Sequence, residues 1–314
     1  MRQRGAALLL AMLTVAMVAT LASAALWRQW RNIEIQSVEQ QRSQAIWVLE
    51  GALDWARLIL REDARNSGPD HLAEPWAVVL QESRLSTFLA IDGDTTDLAQ
   101  EAFLSGQITD AQAKMNVTNL IAERKISEPD MEAFTRLFDM LGLDHAELAT
   151  LADQLLLSIT GNTDAETVRA VPLRPRRVEQ LAWLGLSPAS ALILAPHIVV
   201  LPTRTTLNLN TASAEVIAAR IPDMELADAR KLLAARSRTP FRSLADVQRL
   251  LNPAAPALDA AQYSLGTRYF EVRGQLRLDK LVFEERSLLQ RNGLDVLTLW
   301  RDHGAPPPVV TGLR

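Results

Sequence analysis

A long uncharged apolar run opens the chain and predicts a membrane-crossing helix. It extends from Ala6 to Trp27 and follows a short basic segment at residues 2–5. At about 1.5 Å of rise per residue, a helix of this length crosses a hydrocarbon core of roughly 30 Å. Two tryptophans and two arginines within residues 27–31 are typical of a membrane–water interface.

The same helix is predicted to continue outside the membrane as an amphipathic helix. Its apolar residues recur at helical spacing and form one stripe, which consists of Ile35, Val38, Ala45, Leu49, Ala52, Ala56 and Ile59. The turn-forming residues Asn66-Ser67-Gly68-Pro69 indicate where it ends. The pattern therefore predicts one continuous helix of roughly 55–60 residues.

The middle of the chain predicts a strand followed by a block of helices. Residues 75–89 fit either a helix or a strand, and residues 106–117 alternate as a strand does. Helical patterns with short connections then fill residues 119–260. We predict helices at 130–141, 144–158, 176–184, 188–195, 212–220 and 226–236.

The last part of the chain predicts a three-stranded antiparallel meander. Its strands are residues 269–278, 280–291 and 294–300, and Asn292-Gly293 indicates a type I′ hairpin turn. A sheet of this length suits packing against the apolar stripe of the N-terminal helix. We interpret the charged residues 284–286 as a solvated face and residues 304–314 as an extended, mobile tail.

Composition excludes several classes of function. The 314 residues are 48% hydrophobic with a net charge of −4, which argues against nucleic acid as the main partner. The absence of cysteine excludes a disulfide, a thiolate zinc site and a cysteine nucleophile. The four histidines form no ligand pair at helical spacing, and no local arrangement of Ser, His and Asp indicates an active site. We therefore predict that the protein is not an enzyme.

Residues 207–216 and 240–247 resemble the opening and closing segments of a helix-hairpin-helix unit, and residues 115–120 are a weaker echo of the opening. Such units grip DNA phosphates with the backbone N–H groups of a glycine-containing hairpin. Here the hairpin, residues 221–225, has lost both glycines and carries Asp223 and Glu225 instead. We predict that the fold is kept and the phosphate site lost. A membrane-tethered nucleic-acid-binding protein remains the alternative function.

A loop of spaced carboxylates is a candidate metal site. Asp92, Asp94 and Asp97 surround Gly93 and could supply oxygen ligands to calcium. An exposed turn stabilised by aspartate side chains explains the same residues. The spacing is not that of an EF-hand, so both interpretations stay open.

Two interpretations of the first thirty residues lead to different proteins. Ala22-Ser23-Ala24 could be the cleavage site of a secretory signal peptide, in which case the body would be exported and could be a hydrolase. The basic head ending in Gly5, followed by Ala6 and an uncharged helix that runs into an amphipathic one, resembles a type IV prepilin leader. That resemblance implies cleavage by a prepilin peptidase after Gly5 and N-methylation of Ala6. Most members of that family carry glutamate at the fifth mature position, which is Leu10 here.

The absent glutamate is a feature of one subfamily, the minor pseudopilin K of type II secretion systems. The order of elements, the "D-x-Q-A-x-x-N" end of the middle strand and the "N-L-N-T-A" stretch are also similar to that family. The resemblance covers nearly the whole chain and implies an α+β fold. In it, a pilin-like long N-terminal helix packs on an antiparallel sheet, and a large all-helical insertion contains a degenerate helix-hairpin-helix-like unit.

The resemblance divides the chain into six segments: a leader (1–5), a transmembrane helix (6–27), a first pilin-like part (28–118), the helical insertion (119–260), a second pilin-like part (261–303) and the tail (304–314). It implies a minor pseudopilin that caps the tip of the pseudopilus, nucleates its assembly and supports protein export. Minor pseudopilins I and J would be its partners in a tip complex. It would sit in the bacterial inner membrane with its body in the periplasm, calcium could bind, and no nucleic acid is expected.

Overall fold

The computed structural model describes residues 3–66, 68–85, 102–161, 171–251, 256–278 and 281–304. Helix α1 runs from Gln3 to Asp63 and is 61 residues long. A short 3₁₀ turn, Ala64–Asn66, follows it and ends the helix where the turn-forming residues predict. The single long helix is therefore confirmed. Every side chain from residue 7 to residue 40 is exposed, so this part of α1 projects from the folded body.

A five-stranded antiparallel sheet forms the pilin-like body, in the order β1-β2-β9-β10-β11. Its strands are β1 (Leu80–Arg84), β2 (Ala102–Asp110), β9 (Tyr269–Leu278), β10 (Leu281–Asn292) and β11 (Asp295–Gly304). The predicted C-terminal meander is confirmed as β9-β10-β11. Of the predicted segment 75–89, the described part begins with a 3₁₀ turn, Pro75–Ala77, and continues as edge strand β1.

The predicted strand at 106–117 is wrong at both ends. Strand β2 begins at Ala102 and stops at Asp110. The Asp110 side chain accepts a hydrogen bond from the Gln112 backbone N–H, which caps a 3₁₀ turn at Ala111–Ala113. This local bond competes with strand pairing and turns the chain out of the sheet.

The predicted hairpin turn is also displaced by one residue. Asn292 pairs with Asp295, so the two loop residues are Gly293 and Leu294. Gly293 has a φ of 59°, and Leu294 is not among the residues with positive φ. Positive φ at the first loop residue alone is the pattern of a type II′ turn, so the type I′ prediction is wrong.

Helix α1 packs on the sheet through one stripe, as predicted. Its fully buried members are Ala45, Leu49, Leu53, Ala56 and Leu60, and they contact inward-facing residues of β2 and β9. The stripe is rotated from the predicted one, and the predicted Ile35 and Val38 are exposed because they precede the sheet. Gly274 lets the helix approach closely, since a Cβ there would lie 3.2 Å from Leu49 Cδ2.

The interpretation of residues 284–286 as a solvated face is wrong. Glu285 is only 3% exposed and bonds Arg301 Nε at 3.1 Å and Nη2 at 2.9 Å. Arg301 Nη1 continues to Glu50 of α1 at 3.0 Å, and Arg286 bonds Glu271. Strand β10 lies between β9 and β11. Because it is internal to the sheet, its charged side chains are covered and must be paired.

The insertion between β2 and β9 is mostly helical and has its own core. Its helices are α2 (Glu128–Leu141), α3 (His145–Thr160), α4 (Pro188–Leu194), α5 (Ala214–Arg220), α6 (Leu226–Arg238) and α7 (Leu244–Gln248), with 3₁₀ turns at Val117–Leu120 and Val178–Leu184. The predicted helices are therefore present, that at 176–184 as the 3₁₀ turn.

Six two-residue strands qualify the description of the insertion as all-helical. They are β3 (Met115–Asn116), β4 (Ile121–Ala122), β5 (Lys125–Ile126), β6 (Ile198–Val199), β7 (Leu207–Asn208) and β8 (Tyr263–Ser264). Strand β3 pairs with β6, β4 with β5, and β7 with β8. The parallel β3–β6 and β7–β8 pairs join residues that are far apart in sequence.

The insertion leaves the sheet at the end of α1 that is farthest from the apolar run. Leu60 packs in one cluster with Ile108 and Phe270, whereas Ala45 packs with Ala102 at the other end of the sheet. Asp110, the last residue of β2, pairs with Phe270. The insertion and residues 7–40 of α1 therefore lie at opposite ends of the body.

Candidate functional site

The free part of α1 is the first candidate for a functional surface. Among the described residues, α1 is the one helix long and apolar enough to cross a membrane. Leu10 lies on it with its side chain exposed. Gly5 and Ala6 lie in its helical backbone. Cleavage after Gly5 and methylation of Ala6 stay predictions.

Helix α1 carries an uncharged face that points away from its own sheet, which we call the outward face. At 3.6 residues per turn, this face comprises Gln29, Ile33, Gln36, Gln40, Gln44, Trp47 and Gly51. All the charged residues between 28 and 50 project from other sides of the helix. Trp47 is 75% exposed. A strongly exposed tryptophan on an uncharged helix face is typical of an interaction site.

Gly51 interrupts the outward face one turn from Trp47 and one turn from Trp55. A Cβ added at Gly51 would meet no atom of the described residues within 4 Å, so none of these residues requires glycine there. Glycine inside a helix costs about 1 kcal/mol relative to alanine. A glycine between two large aromatic side chains leaves a notch into which a side chain of another helix can pack. This face was not predicted from the sequence, because its signal is the absence of charged residues along one side of the helix and not a stripe of apolar ones.

The "D-x-Q-A-x-x-N" and "N-L-N-T-A" motifs meet at the base of the insertion. Asp110 of the first motif accepts hydrogen bonds from Thr211 Oγ1 and from Asn208 Nδ2, the latter at 2.9 Å. Asn208 Nδ2 also donates to the Asp70 backbone carbonyl at 3.2 Å, which joins the loop after α1 to the same cluster. Asn116 Oδ1 accepts from the Leu201 N–H at 3.1 Å. The bonds of Asp110 and Asn208 therefore fasten the insertion to the pilin-like body.

Asp110 carries no cationic partner in this cluster. Burial raises its pKa to about 6, although hydrogen bonds from Thr211 and Asn208 act in the opposite direction. The charged form is disfavoured because the carboxylate is removed from water without a counter-charge. The base of the insertion is thus held by a carboxyl group that titrates near neutral pH.

The helix-hairpin-helix-like unit is present, and its hairpin differs from a phosphate site. Ser213 caps α5, and its side chain accepts a hydrogen bond from the Val216 N–H. Ser243 and Asp246 form a capping box at α7, which explains the closing motif. Asp223 in the hairpin has a φ of 56°, so it adopts the left-handed conformation that usually needs glycine. Its carboxylate is exposed at this turn.

The predicted calcium residues Asp92, Asp94 and Asp97 lie outside the described residues. Within the described ranges, Asp63, Asp70 and Glu74 form a group whose oxygens lie within 4.8 Å of one another.

This carboxylate group already has partners. Arg291 bonds both Asp63, at 2.6 Å, and Asp70. Glu74 accepts from Trp76 Nε1 at 2.8 Å. Burial is the largest effect on the pKa of Asp70 and raises it. This group could not be predicted from a local pattern, because Arg291 is 221 residues from Asp70.

Comparison with known proteins identifies the family. Two family models described as type II secretion system (T2SS), protein K match residues 113–203 and 207–268. The type II secretion system protein K of Klebsiella pneumoniae is 30% identical, over 96% of this chain and 97% of its own length. The chain belongs to the type II secretion system protein K family. The protein K of Pseudomonas aeruginosa is 28% identical, over 88% of this chain and 85% of the relative.

A solved structure shows the same fold. It is the crystal structure of the GspK-GspI-GspJ complex from the type 2 secretion system of enterotoxigenic Escherichia coli. The matched chain is 18% identical and covers 86% of this chain and 99% of its own length, with a TM-score of 0.62. The predicted pilin-like α+β architecture with its insertion is confirmed.

Family membership places the chain among the minor pseudopilins, which are structural components of the secretion system. Both family models fall on the insertion and its base. Asp110 lies just before the first matched segment, whereas Asn208 and Thr211 lie within the second. The apolar part of α1 is consistent with a membrane anchor.

Proposed function

We propose that this minor pseudopilin is the tip subunit of a type II secretion pseudopilus, that it nucleates assembly, and that it thereby supports protein export across the outer membrane. The observation that carries the proposal is the position of the insertion. It leaves β2 at Asp110, beside the end of α1 that is farthest from the apolar run. Bulk at this end obstructs a further subunit stacked above and leaves the helix free below.

The proposal includes a route of maturation. Residues 6–27 insert in the inner membrane, and a prepilin peptidase cuts after Gly5 and methylates Ala6. The body then lies in the periplasm. Mass spectrometry of the mature protein tests this step. N-methylated Ala6 at the amino terminus supports the proposal, whereas Ala25 as first residue would indicate a secretory signal peptide and an exported protein.

Minor pseudopilins I and J of the same system are the proposed partners. Support comes from the structural neighbour, which is a complex of GspK with GspI and GspJ. The outward face of α1 supports it independently, because Trp47 is strongly exposed and no atom of the described residues lies within 4 Å of a Cβ at Gly51. A partner anchored in the same membrane presents its own helix alongside α1. An uncharged face with a glycine notch suits such helix packing.

Labelling of assembled filaments tests the tip position. The chain has no cysteine, so Ser237→Cys in the exposed last turn of α6 gives a single thiol for gold conjugation. We expect one gold particle at one end of each pseudopilus in electron micrographs. A major pseudopilin carrying one exposed cysteine is the control and should label along the filament. Particles along the filament for Ser237→Cys would contradict the tip assignment.

A further inference from the structure

A polar cavity of about 210 Å³ opens at the base of the insertion. It lies where the two segments matched by the family models meet, because the connecting residues Arg204, Thr205 and Thr206 form part of its wall. Asn119 comes from the first segment, and Arg220 and Arg268 come from the second. A ligand in this cavity would therefore contact both halves of the insertion.

Two of the arginines share a single carboxylate. Asp130 is 1% exposed, and its two oxygens accept from Arg204 Nη2 at 2.7 Å and from Arg220 Nη1 at 2.6 Å. Ser127 Oγ donates a third hydrogen bond to it at 2.6 Å. Arg220 is only 7% exposed. The Arg204 side chain is 43% exposed, so the positive charge that Asp130 leaves unpaired is accessible from solvent.

A third arginine adds to the excess of positive charge. The Arg268 backbone N–H donates to Gln112 Oε1 at 2.8 Å, which fixes this residue at the cavity wall. Within the part of the chain that the structure describes, its guanidinium group makes no hydrogen bond or ion pair. The three arginines and Asp130 give a net charge of about +2 around the cavity, counting each ionised group once.

We propose that this cavity binds a small oxyanion, with a phosphate or carboxylate group held by Arg268, Arg204 and Arg220. Planar guanidinium groups bind both kinds of oxyanion through paired N–H donors. Thr205 and Thr206 line the same wall. The cavity is too small for a strand of nucleic acid or a folded partner. The bound anion supplies the missing counter-charge and braces the insertion on the body, independently of the tip assignment.

Thermal unfolding of the full-length protein in detergent tests the site. Sodium phosphate and sodium succinate are compared with sodium chloride at equal ionic strength and pH. We expect phosphate, succinate or both to raise Tm in a saturable way. Isothermal titration of the same anion should show at least a tenfold loss of affinity for Arg268→Gln, with partial recovery for Arg268→Lys.

Arg242→Gln is the matched control, because Arg242 is an exposed arginine of the same insertion outside the cavity. It should keep the affinity of the unchanged protein. Arg268 is itself exposed, so its variants should unfold at the Tm of the unchanged protein in chloride. Equal Tm values in all three salts, or saturable binding that Arg268→Gln leaves unchanged, would overturn the proposal.

Discussion

Gly51→Leu should affect the isolated subunit and its complex in opposite directions. In the isolated subunit the added side chain meets no neighbour among the described residues, because none of their atoms lies within 4 Å of a Cβ at this position. Replacing a helical glycine with leucine then stabilises the helix by about 0.8 kcal/mol. For a protein of this size such a gain raises Tm by about 2 °C.

In the complex, the same side chain fills the notch between Trp47 and Trp55 that we assign to a partner helix. Overpacking a fitted interface costs roughly 1–3 kcal/mol. Every 1.4 kcal/mol is a tenfold change in affinity, so the complex should weaken about 5- to 150-fold. The prediction is thus a more stable subunit that binds its partners less well.

Two measurements on the same preparations test this. Thermal unfolding of the detergent-solubilised subunit gives the change in Tm, and co-purification with tagged minor pseudopilins I and J gives the change in binding. Arg42→Leu is the control, because Arg42 projects from the opposite side of α1 and is also exposed. Undiminished co-purification of Gly51→Leu would refute the assignment of the outward face. A fall in Tm for the isolated subunit would show that Gly51 has a role within the chain.

Four further predictions concern charged groups. The raised pKa of Asp110 means that the folded state binds a proton more tightly than the unfolded state, so stability falls as pH rises through about 6. Relative to the Asp110→Asn variant, the Tm of the unchanged protein should fall between pH 5 and pH 7 by an amount equivalent to about 1 kcal/mol of stability. Parallel curves of Tm against pH for the two proteins would contradict this. Leu10→Glu places a carboxylate in the membrane at a cost of about 3 kcal/mol, so we expect less protein in membrane fractions than for Leu10→Met, and equal amounts would count against an unpaired position. If Asp92, Asp94 and Asp97 bind calcium, Tm should be lower in EGTA, and an unchanged Tm would contradict calcium binding by these residues. Gel-shift titration at low salt should show no DNA binding, whereas a salt-sensitive shift would favour the nucleic-acid alternative.

The elements of this fold were predictable where one local period dominates. The uncharged run and the stripe around Leu49 and Ala56 predict α1 and its packing on a sheet, and both are confirmed. The helices of the insertion were predictable for the same reason. Element ends depend on single side-chain bonds, so β2 ends at Asp110, where that side chain caps a turn, and not at 117.

The contacts that assemble the site depend on residues distant in sequence. Asp110 and Thr211 are 101 residues apart, and each belongs to a motif that the sequence displays. Nothing in either motif says that the two meet. The interpretation of Glu285 as solvated was wrong for a related reason. The alternation of residues along one strand does not show whether that strand is internal to the sheet or at its edge. Only the sheet order, with β10 between β9 and β11, shows that its carboxylate is covered.

Leu10 and the insertion support the tip assignment from opposite ends of one helix. At about 1.5 Å per residue, residues 10 and 60 of α1 are roughly 75 Å apart, so no direct contact couples the two features. In the prepilin resemblance, the glutamate at this position neutralises the amino terminus of a neighbour, and leucine cannot do so. The insertion lies at the far end, beyond Asp110. A subunit inside the filament would have to neutralise the amino terminus of a neighbour and leave free space above itself. Leu10 cannot neutralise a neighbour's amino terminus, and the insertion leaves no free space above the subunit. Together the two features favour a subunit with neighbours on its membrane side alone.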